Sequence, residues 1–344
     1  MNASTCRRKL FSTSAWFRHE NPLGLPRRPG PPPQMPRKAG PIQKRAIPNV
    51  TKVLAVASGK GGVGKSTIAV NLAFSLAMLQ NASSRRLRVG LLDLDIFGPS
   101  VPTLMGLQTS EEPRLTSSGA ILPLVNHGLP TMSMGYLLPK PADASTNSDT
   151  PVVWRGLMVQ KAVQQLLFDV DWRGENGEGA AGLDVLVVDM PPGTGDVPLT
   201  LGQLVKVDDY TTPAHTTAGA VIVSTPQDVA LTDVRRGIAM FRKVSVPITG
   251  ILLNQSHFLC PSCTTPHHLF GSPDRFRSTA AQVGVDVLGE LPLVPGVSSG
   301  GDEGVPYALT SRTEKDGAGG AEWRSTMDAI AARVWASLSN NGNV

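Results

Sequence analysis

The sequence predicts an α/β fold: a mostly parallel sheet with helices on both faces. Three observations carry that prediction. Short apolar, β-branched runs recur along the chain, at residues 53–57, Val89–Asp93, Leu183–Asp189, 220–224 and Ile248–Leu253. Stretches with helical periodicity, at 68–80 and Asp228–Lys243, lie between such runs, which is the alternation that builds parallel sheets. The first strand passes into the first helix through a loop dense in glycine.

The chain of 344 residues is 41% apolar and 17% charged, enough apolar material for a sizeable core. No apolar run approaches the roughly 18–20 residues of a membrane span. The net charge of +5 is unevenly spread. Residues 1–50 hold ten Lys/Arg and one acid, Glu20, whereas the remainder holds 22 Lys/Arg and 26 acids. The basic character belongs to the leader, and the body shows no electrostatic footprint for nucleic acid. Residues 1–20 are basic, hydroxyl-rich and acid-poor, the composition of a mitochondrial transit peptide, and predict delivery to the mitochondrial matrix. The other reading is a basic tail that binds something acidic. Residues 21–50, rich in Pro, Gly, Arg and Lys, read as a linker. The body is assigned to 51–338 as one domain, with surface insertions at 108–119, 140–150, 173–182 and 206–218.

The run at 53–57 reads as a buried strand. Ser58-Gly-Lys-Gly-Gly-Val-Gly-Lys-Ser-Thr67 follows, and then a helix with Ile68, Leu72, Leu76 and Leu79 on one face. Strand, glycine-rich loop and helix are the context that confirms a Walker A motif. Gly59, Gly61, Gly62 and Gly64 let the backbone N–H groups, Val63 among them, approach a triphosphate closely. The N-terminus of the helix that begins at Ile68, after Ser66 and Thr67, adds its positive dipole end. Lys65 is placed to reach the β- and γ-phosphates, and the Ser66 hydroxyl to ligate Mg²⁺.

Val89–Asp93 reads as the next strand and runs into Leu94-Asp95-Ile-Phe-Gly-Pro-Ser-Val-Pro102. Acids at the carboxyl end of a strand sit where parallel sheets bind ligands; for Asp93 the alternative is a turn cap. Leu183–Asp189 ends in an acid and precedes Met190-Pro-Pro-Gly-Thr-Gly-Asp196. That is the Walker B pattern, with Asp189 near Mg²⁺ and Gly193 and Gly195 allowing the loop to move. In the helix at Asp228–Lys243, Val229, Val234, Ile238 and Phe241 are expected to face inward.

Asn254-Gln-Ser-His-Phe-Leu-Cys-Pro-Ser-Cys263 follows the fifth strand. Cys260 and Cys263 admit a metal-ligand pair, a redox dithiol or half of a structural zinc site with His257, His267 or His268. Two such pairs meeting on a two-fold axis would give the four thiolates of a [4Fe–4S] cluster.

With Lys60 near the start of the loop, the chain resembles the deviant Walker A ATPases, which include the ParA, MinD and Mrp-like proteins. Ala57–Thr67, Leu92–Pro102, Met132-Ser-Met-Gly135, Trp154-Arg-Gly-Leu-Met158, Asp189–Asp196, Ser224-Thr-Pro-Gln-Asp228 and Cys260-Pro-Ser-Cys263 narrow this. Together they resemble the Mrp/Nbp family of iron–sulfur carrier P-loop ATPases, most closely its mitochondrial branch, which serves respiratory complex I. The resemblance covers about residues 22–338. It implies that Lys60 reaches the nucleotide of the opposite subunit in a homodimer, that Asp95 orients the attacking water and that Asp93 helps order the Mg²⁺ shell. It also implies that Asn254 contacts the adenine of ATP, and that Cys260 and Cys263 hold a shared, labile [4Fe–4S] cluster for delivery to apo iron–sulfur proteins. Gln255 stands where the family usually has Met.

Two other functions compete. One is a MinD-like ATPase that positions itself on a membrane or polymer, its Cys pair binding structural zinc. Its membrane contact would be the stripe of Trp323, Met327, Ile330, Val334 and Leu338, with Arg324 and Arg333 as cations. Packing of that stripe on the sheet is the alternative, and no stable membrane insertion is expected. The other is a scaffold that binds ATP but hardly turns it over.

Overall fold

The computed structural model describes residues 45–81, 83–137, 156–174, 177, 179–193, 217–310 and 316–340. Trp154, Arg155, Gly195, the leader and the proposed insertion at 140–150 lie outside the described residues, as does nearly all of that at 206–218. Eight strands form one sheet in the order β10-β7-β6-β1-β5-β2-β4-β3, every pairing parallel except β3 with β4. The five predicted strands are its centre: β1 (Val50–Ser58), β2 (Val89–Asp93), β5 (Leu183–Asp189), β6 (Thr217–Ser224) and β7 (Ile248–Leu253). Three flanking strands carried too little apolar sequence to be predicted: β3 (Leu124–Asn126), β4 (Leu129–Ser133) and β10 (Val287–Glu290).

Alternation along β1 divides the interior into two cores. Val53, Ala55 and Ala57 face a core built with α3 (Gly156–Phe168), α4 (Asp228–Lys243) and α5 (Asp274–Val283). Leu54 and Val56 face the other, built with α1 (Lys65–Met78) and α7 (Gly317–Asn340). Short helices α2 (Val101–Leu104) and α6 (Pro295–Asp302) complete the rim above the strand ends.

Several expectations change. The body begins before residue 51: Ile47 is 1% exposed, Arg45 lies 4.1 Å over the Phe168 ring and β1 starts at Val50. At the other end α7 continues to Asn340. The predicted single face of α1 is instead burial on nearly all sides from Ile68 to Leu76, because α7 covers the side away from the sheet. Val229 is 69% exposed, not inward. It lies in the first turn of α4, about 140° around the helix from the Val234–Ile238–Phe241 stripe.

The C-terminal stripe is fully interior. Trp323, Met327, Ile330, Val334 and Leu338 are all buried against α1 and the sheet. Its two cations are engaged by the chain as well. Arg333 donates to the carbonyls of Val287 and Leu288 on edge strand β10, and Arg324 donates to Ala308 O and Thr310 Oγ1. The helix that the MinD-like alternative needs for lipid is therefore committed to the core. No described helix is long and apolar enough to cross a membrane.

Candidate nucleotide and cysteine sites

The carboxyl ends of β1, β2 and β5 converge on one cleft, of about 460 Å³, lined by the glycine-rich loop, Asp95, Pro192 and the start of α2. Its floor follows from register. Asp93 and Asp189 are paired neighbours on β2 and β5, and Ser133 of β4 pairs with Asp93 on its other side. Two carboxylates thus lie side by side beneath the loop.

The loop geometry needs its glycines. Gly64, at the N-cap of α1, has φ 81°, and a Cβ there would lie 2.4 Å from Asn254 Nδ2. Gly59 sits so close to α4 that a Cβ would lie 2.2 Å from Asp233 Cβ.

Lys65, predicted to reach phosphate, points into the floor. Its ammonium donates to Asp189 Oδ1 at 2.5 Å and to Ser66 Oγ at 3.2 Å, and stands 3.8 Å from Asp95 Oδ2. Asp189 is 0% exposed, and its Oδ2 has no hydrogen-bond partner among the described residues. Burial pushes its carboxyl upward against the opposing pull of Lys65.

Asp93 is tied into the chain. Its Oδ1 accepts from the Asp95 N–H at 2.9 Å, and its Oδ2 accepts from Ser133 Oγ at 3.0 Å and Val101 N–H at 3.4 Å. It caps the turn that carries Asp95, the alternative reading of this residue, while Oδ1, with this one donor, keeps a second lone pair. Burial, then the neighbouring Asp189 charge, push its carboxyl up to about 7. Asp95 is left half-buried at the cleft wall, its carboxyl raised chiefly by desolvation. Half-buried Lys60 donates to Gln227 Oε1 at 2.5 Å at the rim.

Asn254 and Gln255 line a second, smaller cleft beside Gly64 and Thr67, closed by Leu293, Val294 and Trp323. The Asn254 amide donates to Val63 O at 2.9 Å, tying this wall to the phosphate loop. Gln227, Ser133 and Trp323 were not singled out as site residues from sequence. The first two lay inside quoted motifs, whereas Trp323 was legible only as part of an apolar stripe.

Beyond Asn254 the chain forms a hairpin, β8 (Phe258–Leu259) with β9 (Pro266–His267), and the cysteines occupy its tip. Cys260 N–H donates to Thr265 O, and Thr264 N–H donates back to Cys260 O, closing a tight turn with Thr264 at φ 56°. Cys263 is exposed, and hydrogen bonding to Thr265 holds its thiol below the ordinary range. His257 faces Ser256 and Glu322 with its two ring nitrogens, and His268 Nδ1 donates to Ser256 O. Among the described residues, no three His, Cys, Asp or Glu side chains gather around one point as metal ligands.

A family profile described as "NUBPL iron-transfer P-loop NTPase", of the ParA group, matches residues 49–331. The chain belongs to this family. Other NUBPL-type NTPases extend the match. An "Iron-sulfur cluster transfer protein NUBPL" of Dictyostelium discoideum is 44% identical, over 78% of this chain and 73% of that one. An Arabidopsis thaliana protein named "Iron-sulfur protein required for NADH dehydrogenase, mitochondrial" is 45% identical over 76% and 73%. Among solved structures, a nucleotide-binding protein of Archaeoglobus fulgidus in complex with ADP is 29% identical, with TM-score 0.56, covering 74% of this chain and 87% of that one. MinD of Aquifex aeolicus, 17% identical with TM-score 0.51 over 83% and 97%, shares the fold.

Proposed function

We propose that this NUBPL-type NTPase is an ATP-dependent carrier of iron–sulfur clusters. It holds a labile [4Fe–4S] cluster between two copies of the chain and delivers it to apo-proteins of respiratory complex I in the mitochondrial matrix. The observation that carries the reading is the hairpin tip. It presents Cys263 exposed and Cys260 half-buried on one hydrogen-bonded turn, with the nearby His257 and His268 engaged elsewhere. Iron–sulfur clusters take cysteine thiolate. Two thiols per hairpin make half of a four-ligand set, so the cluster is completed by a second copy. A site at an interface can open, which suits release to an acceptor. The names of the Dictyostelium and Arabidopsis relatives support cluster transfer, a role toward NADH dehydrogenase and the mitochondrion.

The cleft fits a nucleotide with Mg²⁺. The buried Asp189 Oδ2 has an unfilled acceptor site, Ser66 Oγ is adjacent to Lys65, and the glycine loop leaves its backbone open to the cleft. Asp189 and Ser66 would hold the metal, which when bound neutralises charge on the β- and γ-phosphates. Lys65 then exchanges Asp189 for phosphate oxygens, and the N–H groups from Gly61 to Thr67 wrap the phosphates. Asp95, held by the Asp93 cap, faces the cleft where a water attacking the γ-phosphate would need orienting. Asp93 acts through Asp95. Asn254 and Gln255 offer polar edges to the base. Lys60 stands at the rim, free to exchange Gln227 for a nucleotide on a facing copy.

Anaerobic reconstitution with iron and sulfide tests the reading. About four iron per dimer, none on monomer, and loss of iron without loss of ATP binding in Cys260→Ser and Cys263→Ser are expected. One zinc per monomer, with unfolding of the serine variants, would overturn it.

A further inference from the structure

The segment Asn254-Gln-Ser-His257 joins the small cleft to the cysteine hairpin in four residues. Its path is over-determined. Gln255 adopts φ 56°, a left-handed conformation unfavourable for a residue with a Cβ. Ser256 donates its N–H to Leu291 O at 2.9 Å, and its Oγ stands 3.0 Å from the same carbonyl. The His257 carbonyl accepts from Leu293 N–H at 2.7 Å, and Leu293 is itself a wall of the cleft. The His257 ring lies between Ser256 Oγ, 2.9 Å from Nδ1, and Glu322 Oε1, 3.3 Å from Nε2; with the Ser256 hydroxyl turned to Nδ1, the Nε2–H faces Glu322.

Glu322 immediately precedes Trp323 on α7, and Trp323 is another wall of the same cleft, packed edge-on against Tyr307 at 5.2 Å. Three cleft walls therefore reach one residue: Gln255 through the chain and Leu293 through its N–H hold the His257 backbone, and Trp323, through its neighbour Glu322, meets the His257 ring. His257 leads directly into Phe258 of β8. That strand ends at Leu259, immediately before Cys260.

We infer that His257, clamped by Glu322, is a positioning residue that couples occupation of the base cleft to the attitude of the Cys260–Cys263 hairpin. This rests on the reading of the cleft as a nucleotide site. Neither residue touches nucleotide or cluster, and the side chains act only through the elements they pin.

The test uses the reduced full-length chain carrying Cys6→Ser, so that Cys260 and Cys263 are the thiols counted. The rate of labelling by 5,5′-dithiobis(2-nitrobenzoate) is measured with and without saturating Mg·ADP, and ADP affinity is measured in parallel. ADP should change the labelling rate by about fivefold or more, the usual size of a coupling between sites. Glu322→Gln and His257→Leu should reduce that ratio to near one, with ADP affinity retained. His257→Gln, which keeps a polar end toward Glu322, should restore part of it. A purely structural loss would raise labelling equally with and without ADP. Glu322 is a partly exposed carboxylate, so Glu322→Gln keeps the test available if His257→Leu fails to fold. ADP that binds without altering labelling, or variants that keep the parent's ratio, would overturn the inference. Absence of ADP binding in the parent would instead overturn the nucleotide reading beneath it.

Discussion

Lys65 and Asp189 face each other in the floor of the cleft at 2.5 Å, both almost wholly buried. Neither can leave the other without stranding a charge away from water, so binding of phosphate and metal must proceed as an exchange of partners. Lys65→Ala should therefore lose ATP binding and also destabilise the free protein, by about 3 kcal/mol. Adding Asp189→Asn should return most of that stability and none of the binding. Urea melts and a fluorescent ATP analogue separate the two effects; a Lys65→Ala chain as stable as the parent would mean the pair contributes nothing. The same floor explains why Asp93 was hard to assign. A carboxylate at a strand end is legible in sequence, but whether its oxygens meet a metal or cap a turn depends on Ser133 and Val101, brought to it by register and by the α2 turn.

At the scale of elements, two features invite measurement. Asp171 anchors the entry to β1: it accepts from Arg173 at 2.9 Å and from the Asn49 amide at 3.2 Å. Those bonds, Arg173 foremost, hold its carboxyl below the ordinary 3.8. A depressed native pKa means the unfolded chain binds more protons, so the stabilisation is full above 3.8 and is lost as pH falls through the native value. Asp171→Asn should cost about 1–2 kcal/mol at pH 7 and approach no cost in the acid range below the native value, seen as converging melting curves. The second feature is α7. Ile330→Ala should cost about 2–4 kcal/mol, because the side chain lies between α1 and the sheet. The intact protein should not co-sediment with anionic vesicles, whereas a helix with a lipid-facing stripe would. Lys52 adds to the docking of α7 by donating to the carbonyl of Leu338 near its C-terminus.

For the whole molecule, charge separates the first 50 residues from an acidic body. Residues 1–50 fused to a fluorescent reporter should direct it to mitochondria, and the body alone should not; diffuse cytosolic fluorescence from the fusion would refute the assignment. On this scale the sheet explains how two chemistries coexist. The phosphate cleft is built at the ends of central strands β1, β2 and β5, where backbone is locked on both sides. The cysteine hairpin grows from β7, one strand from the edge, where a loop can leave the sheet without breaking it.

Local sequence determined the parts whose chemistry is local. The glycine loop, its flanking strand and helix, the acids ending β2 and β5, and the Cys-x-x-Cys pair depend on residues adjacent in the chain, so spacing alone displayed them. The central strands were equally legible, since burial on both faces demands continuous apolar runs. Tertiary structure decided what depends on a distant partner. Flanking strands β3, β4 and β10 exist because neighbours supply their hydrogen bonds, and α1 is buried all round because α7 covers it. Val229 faces outward because the phase of α4 is set by the core it meets, not by hydrophobicity alone. Asp93 became a cap, Lys65 turned to Asp189, and His257 found Glu322 across 65 residues of chain, because a side chain's partner is fixed by packing and register rather than by its place in the sequence.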